Sequence, residues 1–255
     1  MSNNIFDKAP EFNYQESIDE PNLAEFIKVV EGRRSVRVFT DENIPENVIR
    51  SCLDLALLAP NSSNLQAWEF YWVRNPFKKE KLVEACLSQP AAKTAKELIV
   101  AVARTNTWKE RSKEMLALLK KEQNVPRAVL NYYEKIVPLA YNQGPLGIFG
   151  LIKRILVFFI GLFKPTPREP VCQKDMEIWA VKTVALACEN FMLSLGAHGF
   201  DSCPMEGMDS SRVRKILDLP SDAVVVMVIG AGRRSPKGIY GPRIRFPKEK
   251  FIFEV

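Results

Sequence analysis

The chain has 255 residues, of which 47% are hydrophobic and 26% charged, and a net charge of +6; that balance excludes a chain disordered throughout and is enough for one substantial core. Its five cysteines (Cys52, Cys86, Cys172, Cys188, Cys203) are odd in number and form no C-x-x-C pair, which argues against a disulfide framework and a zinc site and favours a reducing, cytoplasmic setting. Residues 1–20 read as a polar flexible arm, with no apolar run in Met1–Glu11 to suggest a secretory leader, and residues 21–255 as a single domain.

In chain order, residues 22–31 carry Leu23, Phe26, Ile27 and Val30 at helical spacing, and Gly32 breaks the pattern. Pro45 opens a second helix with Val48, Cys52, Leu55 and Ala59 on its buried side, and Pro60 ends it. Strands are expected at 69–74, 98–103 and 224–229, the last two being short and wholly apolar, as buried strands are. Helices are expected at 107–124, 128–142 and 175–195, the last closed by Gly196, and a short one at 209–217 capped by Asp209 or Ser210. The terminal FIFEV reads as a last strand.

Residues 145–163 (PLGIFGLIKRILVFFIGLF) are apolar except for Lys153 and Arg154 at the centre. Two central charges argue against a membrane span. A lid over the active site, part of a dimer interface, an element lying in a membrane surface and a partly buried insertion all remain open.

Several chemistries have no machinery here. The single histidine, His198, lies just past a helix end and reads as a cap or turn residue. There is no phosphate-binding G-x-x-x-x-G-K-[ST] loop and no G-x-G-x-x-G opening a helix. An organic cofactor could carry the reaction instead.

Four motifs remain. In Arg33-Arg34-Ser35-Val36-Arg37, an extended backbone turns Arg33, Ser35 and Arg37 to one side, and arginine grips phosphate bidentately. The loop APNSSNLQAWEF (59–70) offers the paired donors and acceptors that a flat heterocycle edge requires, or a capped turn. In Asp201–Asp209, Gly207 would let a backbone approach a flat ligand, while Cys203 reads either as a redox thiol or as a small buried residue. Arg243 and Arg245 alternate within PRIRFP. The arginines therefore fall into two clusters, 33/34/37 and 233/234/243/245. That suits one phosphate held from two sides, or a solvated basic surface, better than the aromatic-interleaved stripe of a nucleic-acid binder.

Taken together and in this order, RRSVRVF, APNSSNLQAWEF, PMEG and PRIRFP resemble the nitroreductase family of FMN enzymes over residues 25–255. Ala67 stands where the family usually has a proline, and 145–163 has no counterpart in the common pattern. The resemblance implies an α+β fold with a central mixed β-sheet flanked by helices, in an intertwined homodimer with an exchanged C-terminal arm. It implies tightly bound FMN at the dimer interface, with Arg33 and Arg243 or Arg245 on the phosphate, and Arg34 and Ser35 along the ribityl chain. Arg37 would sit near N1 and O2, and Gln89 at the pyrimidine edge. Pro204, Met205, Glu206 and Gly207 would pack on the ring, the Gly207 N–H near N5. Asn61, Ser62 and Asn64 would come from the partner subunit. The implied activity is ping-pong transfer of hydride from NAD(P)H through flavin N5 to a small acceptor such as a nitroaromatic or quinone, with no metal. Reductive dehalogenation, flavin breakdown and a membrane-surface flavin-binding role are the alternatives.

Overall fold

The computed structural model describes residue 17 and residues 20–255, so the arm expected over residues 1–20 lies almost wholly outside the described residues. At the centre, β1 (Trp68–Trp72) pairs with β2 (Glu97–Arg104), β2 with β4 (Ala223–Gly232), and β4 with β3 (Asp201–Met205). The order is β1-β2-β4-β3. All three ladders are antiparallel; the only parallel pairing among the described residues is an isolated bridge between Ser35 and Ser202.

The pleat explains why β2 is apolar from Leu98 to Ala103. Ile99, Ala101 and Ala103 face one core cluster and Leu98, Val100 and Val102 the other. The first cluster is closed by α2 (Glu46–Ala56) and α9 (Gln173–Ala197). The second is closed by α3 (Pro76–Ala85), α4 (Pro90–Thr94) and α10 (Ser210–Ile216). Sequence reading passes over α3, which has no clear apolar stripe, and α4, which has only five residues, although each opens with a proline in its first turn.

Helix α9 buries ten residues, from Met176 to Leu195. Its end differs from expectation: Gly196 stays helical, and the chain turns at Gly199 (φ +78°), where Phe200 N–H donates to the Leu195 carbonyl at 2.9 Å and Gly199 N–H to that of Gly196 at 3.0 Å. α1 (Leu23–Gly32) forms as expected, capped by the Asn22 side chain, but it buries none of its residues; Leu23, Phe26, Ile27 and Val30 all face outward. α5 (Trp108–Leu119) stops short of residue 124. The run from 127 to 141 is α6 (Arg127–Asn131), a π turn (Tyr132–Ile136) and α7 (Val137–Tyr141). α8 (Ile148–Ile160) follows. The expected strand FIFEV is absent: residues 251–255 are exposed and pair with no strand among the described residues, since a strand forms only where another strand's backbone groups are offered to it.

One ion network crosses the sheet edge. The Arg104 guanidinium contacts Glu69 and donates to both carboxylate oxygens of Asp222 at 3.1 Å. Burial alone would raise the Asp222 pKa, but the hydrogen bonds from Arg104 and the Asn106 N–H outweigh it and hold the carboxyl below its ordinary range. A depressed carboxylate contributes stability above its unfolded pKa and loses it as the pH falls through the folded one. Arg104→Met should destabilise the fold by about 1–3 kcal/mol at neutral pH, the cost of leaving a part-buried carboxylate without its hydrogen bonds. It should also flatten the loss of stability below about pH 4. Thermal melts of both proteins across pH 2.5–7 check this, and parallel curves would show that the network carries no linkage.

Candidate functional site

After α1 the backbone runs extended. Val36 N–H donates to the Ser202 carbonyl at 3.0 Å and Arg37 N–H to that of Gly238 at 2.7 Å, while the Val36 side chain is fully buried. Burying Val36 turns Ser35 and Arg37 outward, as a period of two requires. The C-terminal segment is laid against this stretch by its own arginines. Arg243 Nη2 donates to the carbonyls of Glu31 and Arg33, both at 2.6 Å, and Arg34 Nη2 donates to that of Gly241 at 2.7 Å.

The result is a cavity of about 200 Å³ lined by Arg33, Arg34, Ser35, Pro242, Arg243, Ile244 and Arg245. Among the described residues its four guanidiniums make a single ion pair, Arg33 Nε to Glu189 at 3.5 Å. A pocket with this excess of fixed cations, presented as planar donor forks, is built for an anion with several oxygens. Arg233 and Arg234, grouped with this cluster by sequence, do not join it: they pair with Glu42 and Asp201.

Beside the cradle, β3 ends at Met205. Met205 is 3% exposed and sits in the second core cluster, so its side chain does not pack on a ligand as expected. The strand's pleat turns it inward. Pro204 fits an edge strand because it has no N–H to leave unpaired. Glu206 and Gly207 are exposed, and a Cβ on Gly207 would meet nothing within 4 Å. The Gln89 amide Nε2 donates to the Gly207 carbonyl at 3.0 Å, which fixes that peptide and the amide together. Arg37 is exposed and near enough to oppose the upward push that burial gives the Cys203 thiol, but the net shift remains upward. Cys203 is 2% exposed and its thiolate is disfavoured, so it is a packing residue.

Asn61, Ser62 and Asn64 lie elsewhere. Their loop is held from below by three tyrosines that sequence reading missed. Tyr141 OH meets Ser62 Oγ at 3.1 Å and Ser63 Oγ at 2.9 Å, Tyr132 OH meets Ser63 Oγ at 2.6 Å, and Tyr133 OH donates to the Ser63 carbonyl at 3.0 Å. Tyr132 and Tyr133 reach the loop from the π turn. The one sequence signal of that irregularity is Pro138, inside a run otherwise helical in pattern. Asn61 Oδ1 accepts from Gln66 N–H at 2.9 Å. The loop also borders a cavity of about 360 Å³ lined by residues including Asn61, Ser62, Tyr141, Trp179 and Lys182.

Backbone strain singles out the same places. Of the eight described non-glycine residues with positive φ, Ser63, Asn64 and Gln66 lie in this loop, and Leu87 and Ser88 immediately precede Gln89. Such conformations cost about 1–3 kcal/mol each and persist where the surroundings enforce them, commonly at ligand sites.

The two groups are separated by the sheet. The loop leads into β1 at one edge, while the cradle and Gly207 adjoin β3 at the other. Four strands spaced about 4.8 Å apart put these edges roughly 14 Å from each other. One chain thus assembles Arg33, Arg34, Ser35, Arg243 and Arg245, with Gln89, Gly207 and Arg37 alongside β3, and carries Asn61, Ser62 and Asn64 on its far edge.

The family model described as "Nitroreductase family" matches residues 30–233. Among curated proteins, the chain is 28% identical over 204 residues to Protein DrgA of Synechocystis sp., covering 80% of this chain and 81% of that protein. It is 27% identical over 220 residues to the NADH dehydrogenase of Thermus thermophilus, covering 86% and 91%. Among solved structures, a nitroreductase-like protein from Exiguobacterium sibiricum in complex with FMN superposes with a TM-score of 0.62 at 21% identity, covering 94% of this chain and 99% of that one.

Proposed function

The chain belongs to the nitroreductase family, and from that membership we propose that it is an FMN-dependent, NAD(P)H-oxidising reductase of small acceptors such as nitroaromatics or quinones, working as a homodimer. The observation that carries this reading is the arginine cradle, four guanidiniums around one cavity with a single carboxylate partner. The residues present fit the cofactor: the cradle matches a phosphate, and the open space over Gly207 admits a flat ring.

Bound FMN supplies reversible two-electron chemistry at its isoalloxazine ring. The chain's own groups do the rest. Arg33 with Arg243 or Arg245 would hold the phosphate, which guanidinium forks suit, and Arg34 and Ser35 would line the path of the sugar chain. The hydrogen-bonded Gln89–Gly207 pair would present an amide edge and a backbone N–H. Arg37 would add a fixed positive charge beside the ring and so favour a negatively charged form electrostatically. No side chain is required as nucleophile or acid, in keeping with a sole histidine that is exposed at the end of α9.

The dimer is supported by three features of the single chain. Its half-sites lie on opposite sheet edges. α1 turns an apolar stripe to solvent, and Phe246, Phe251, Ile252 and Phe253 of the C-terminal segment are all more than 60% exposed. A second copy would cover both surfaces and bring one chain's Asn61, Ser62 and Asn64 to the other's cradle.

The purified protein should carry a flavin absorption spectrum and oxidise NADH or NADPH with a quinone or nitroaromatic. Parallel double-reciprocal lines are expected if donor and acceptor occupy one place in turn. A flavin-loaded protein that turns over neither nucleotide with any acceptor of such a panel would refute the proposal, and converging lines would refute its ping-pong order.

A further inference from the structure

Helix α8 and its flanks stand out from the rest of the surface. Leu146, Ile148, Phe149, Leu151, Ile152, Ile155, Leu156, Phe158, Phe159, Ile160, Leu162 and Phe163 are between 38% and 101% exposed. Twelve large apolar side chains exposed to this degree present on the order of 1,000 Å², against the ~300–600 Å² of the largest patch on a typical monomer. The two central charges, which argue against a membrane span, are placed differently in the fold. Lys153 turns inward, its Nζ donating to the carbonyls of Ala140 at 2.7 Å and Pro170 at 3.1 Å. Gly150 lies against Gln143 and the Val171 backbone, where no Cβ would fit. Arg168 donates to the Gly161 carbonyl at 3.3 Å and ties down the helix end.

Gly150, Lys153 and Val157 thus mark the protein-facing side of α8. At 100° per residue, Arg154 falls at the margin of that side, and the outward arc of about 200° holds only apolar residues, from Phe158 and Leu151 round to Phe149 and Ile160. A protein partner satisfies one stripe of a helix and leaves the flanks to water. An arc this wide and convex suits a solvent that surrounds it, which hydrocarbon does. The charge is complementary to a lipid surface as well. No Asp or Glu occurs between Glu134 and Glu169, and Arg154 and Lys164 are exposed and make no ion pair among the described residues.

We propose that residues 145–163 seat the protein on an anionic lipid bilayer, the apolar arc of α8 lying in the acyl boundary and Arg154 and Lys164 at the headgroups. This goes beyond the redox reading and does not depend on it. Flotation of the full chain with vesicles of phosphatidylcholine alone, or mixed with phosphatidylglycerol, tests it, with protein and flavin read separately in each fraction. The wild type should rise with the anionic vesicles. The variant I155Q/F158Q/F159Q should rise roughly tenfold less with either vesicle, and R154E/K164E should lose only the anionic preference, as high salt also should. The second variant keeps the test decisive if the first misfolds. A wild type that stays at the bottom with both vesicles overturns the proposal. So does a wild type that ignores vesicles while the triple variant lowers its molar mass, which would make the arc an interface between copies. Protein that floats without flavin leaves the bilayer seat standing and counts against the cofactor reading instead.

Discussion

Arg33→Ala combined with Arg243→Ala should yield a colourless protein whose affinity for added FMN is about 10²–10⁴-fold below wild type, each lost charge-assisted hydrogen bond to phosphate contributing about 1.5–3 kcal/mol. The two losses are not fully independent: Arg243 also bonds the carbonyls of Glu31 and Arg33 and thereby holds the C-terminal segment in place. Losing those bonds would loosen Arg245 too and push the effect toward its upper end. The variant with lysine at both positions separates charge from shape. A lysine keeps the cation but not the planar fork, so an intermediate loss is expected if bidentate recognition matters, and none if the cradle acts as a diffuse positive field. FMN titration followed by flavin fluorescence reads all three proteins, with far-UV circular dichroism to confirm the fold. Full yellow colour in the double alanine variant would place the phosphate elsewhere.

What could be read from the sequence, and what could not, follows from the range of the physics involved. The outward turn of Ser35 and Arg37 was legible because an extended chain fixes which side chains share a face, and Val36 is buried between them; Arg34 departs from the alternation and lines the same cavity as Arg33 and Ser35. β2 and α9 were legible because both are buried on more than one side and carry the apolar runs that burial requires. Met205 was misplaced because DSCPM, with Asp, Ser and Pro, does not read as a strand; only the ladder with β4 gives it a pleat, and the pleat decides which side chains face the core. The tyrosines behind Ser62 and Ser63 lie 69 to 79 residues away along the chain, and no local pattern joins them. Lys153 illustrates the same limit. Its charge is visible in the sequence, but its direction is set by the carbonyls of Ala140 and Pro170, on segments before and after the helix. FIFEV has the composition of a strand, yet no strand among the described residues pairs with it.

The proposed division of the site between sheet edges of two copies leads to the second large effect, a restoration rather than a loss. Take the cradle-deficient chain (R33A/R243A) and a loop-deficient chain with Ser62→Glu and Asn64→Asp. The loop changes sit at exposed positions and set carboxylates against an anionic cofactor, and Asp is chosen at 64 because it tolerates that residue's left-handed backbone (φ +46°). Each variant alone should bind little FMN, since every site in its homodimer has one defective half. Mixed dimers differ. In each, one site combines the two defective halves and the other combines an intact cradle with an intact loop. Random exchange makes about half of all dimers mixed, so about a quarter of all sites should recover FMN and turnover in a two-fold assembly with shared sites. Two differently tagged chains, co-expressed and purified on both tags in succession, raise the expected occupancy to about half. No recovery would mean that cradle and loop of the same chain form the site, or that neither copy lends residues to the other. If the loop-deficient protein is yellow on its own, Ser62 and Asn64 take no part in holding the cofactor, and the exchange of residues between copies is excluded without the mixing experiment.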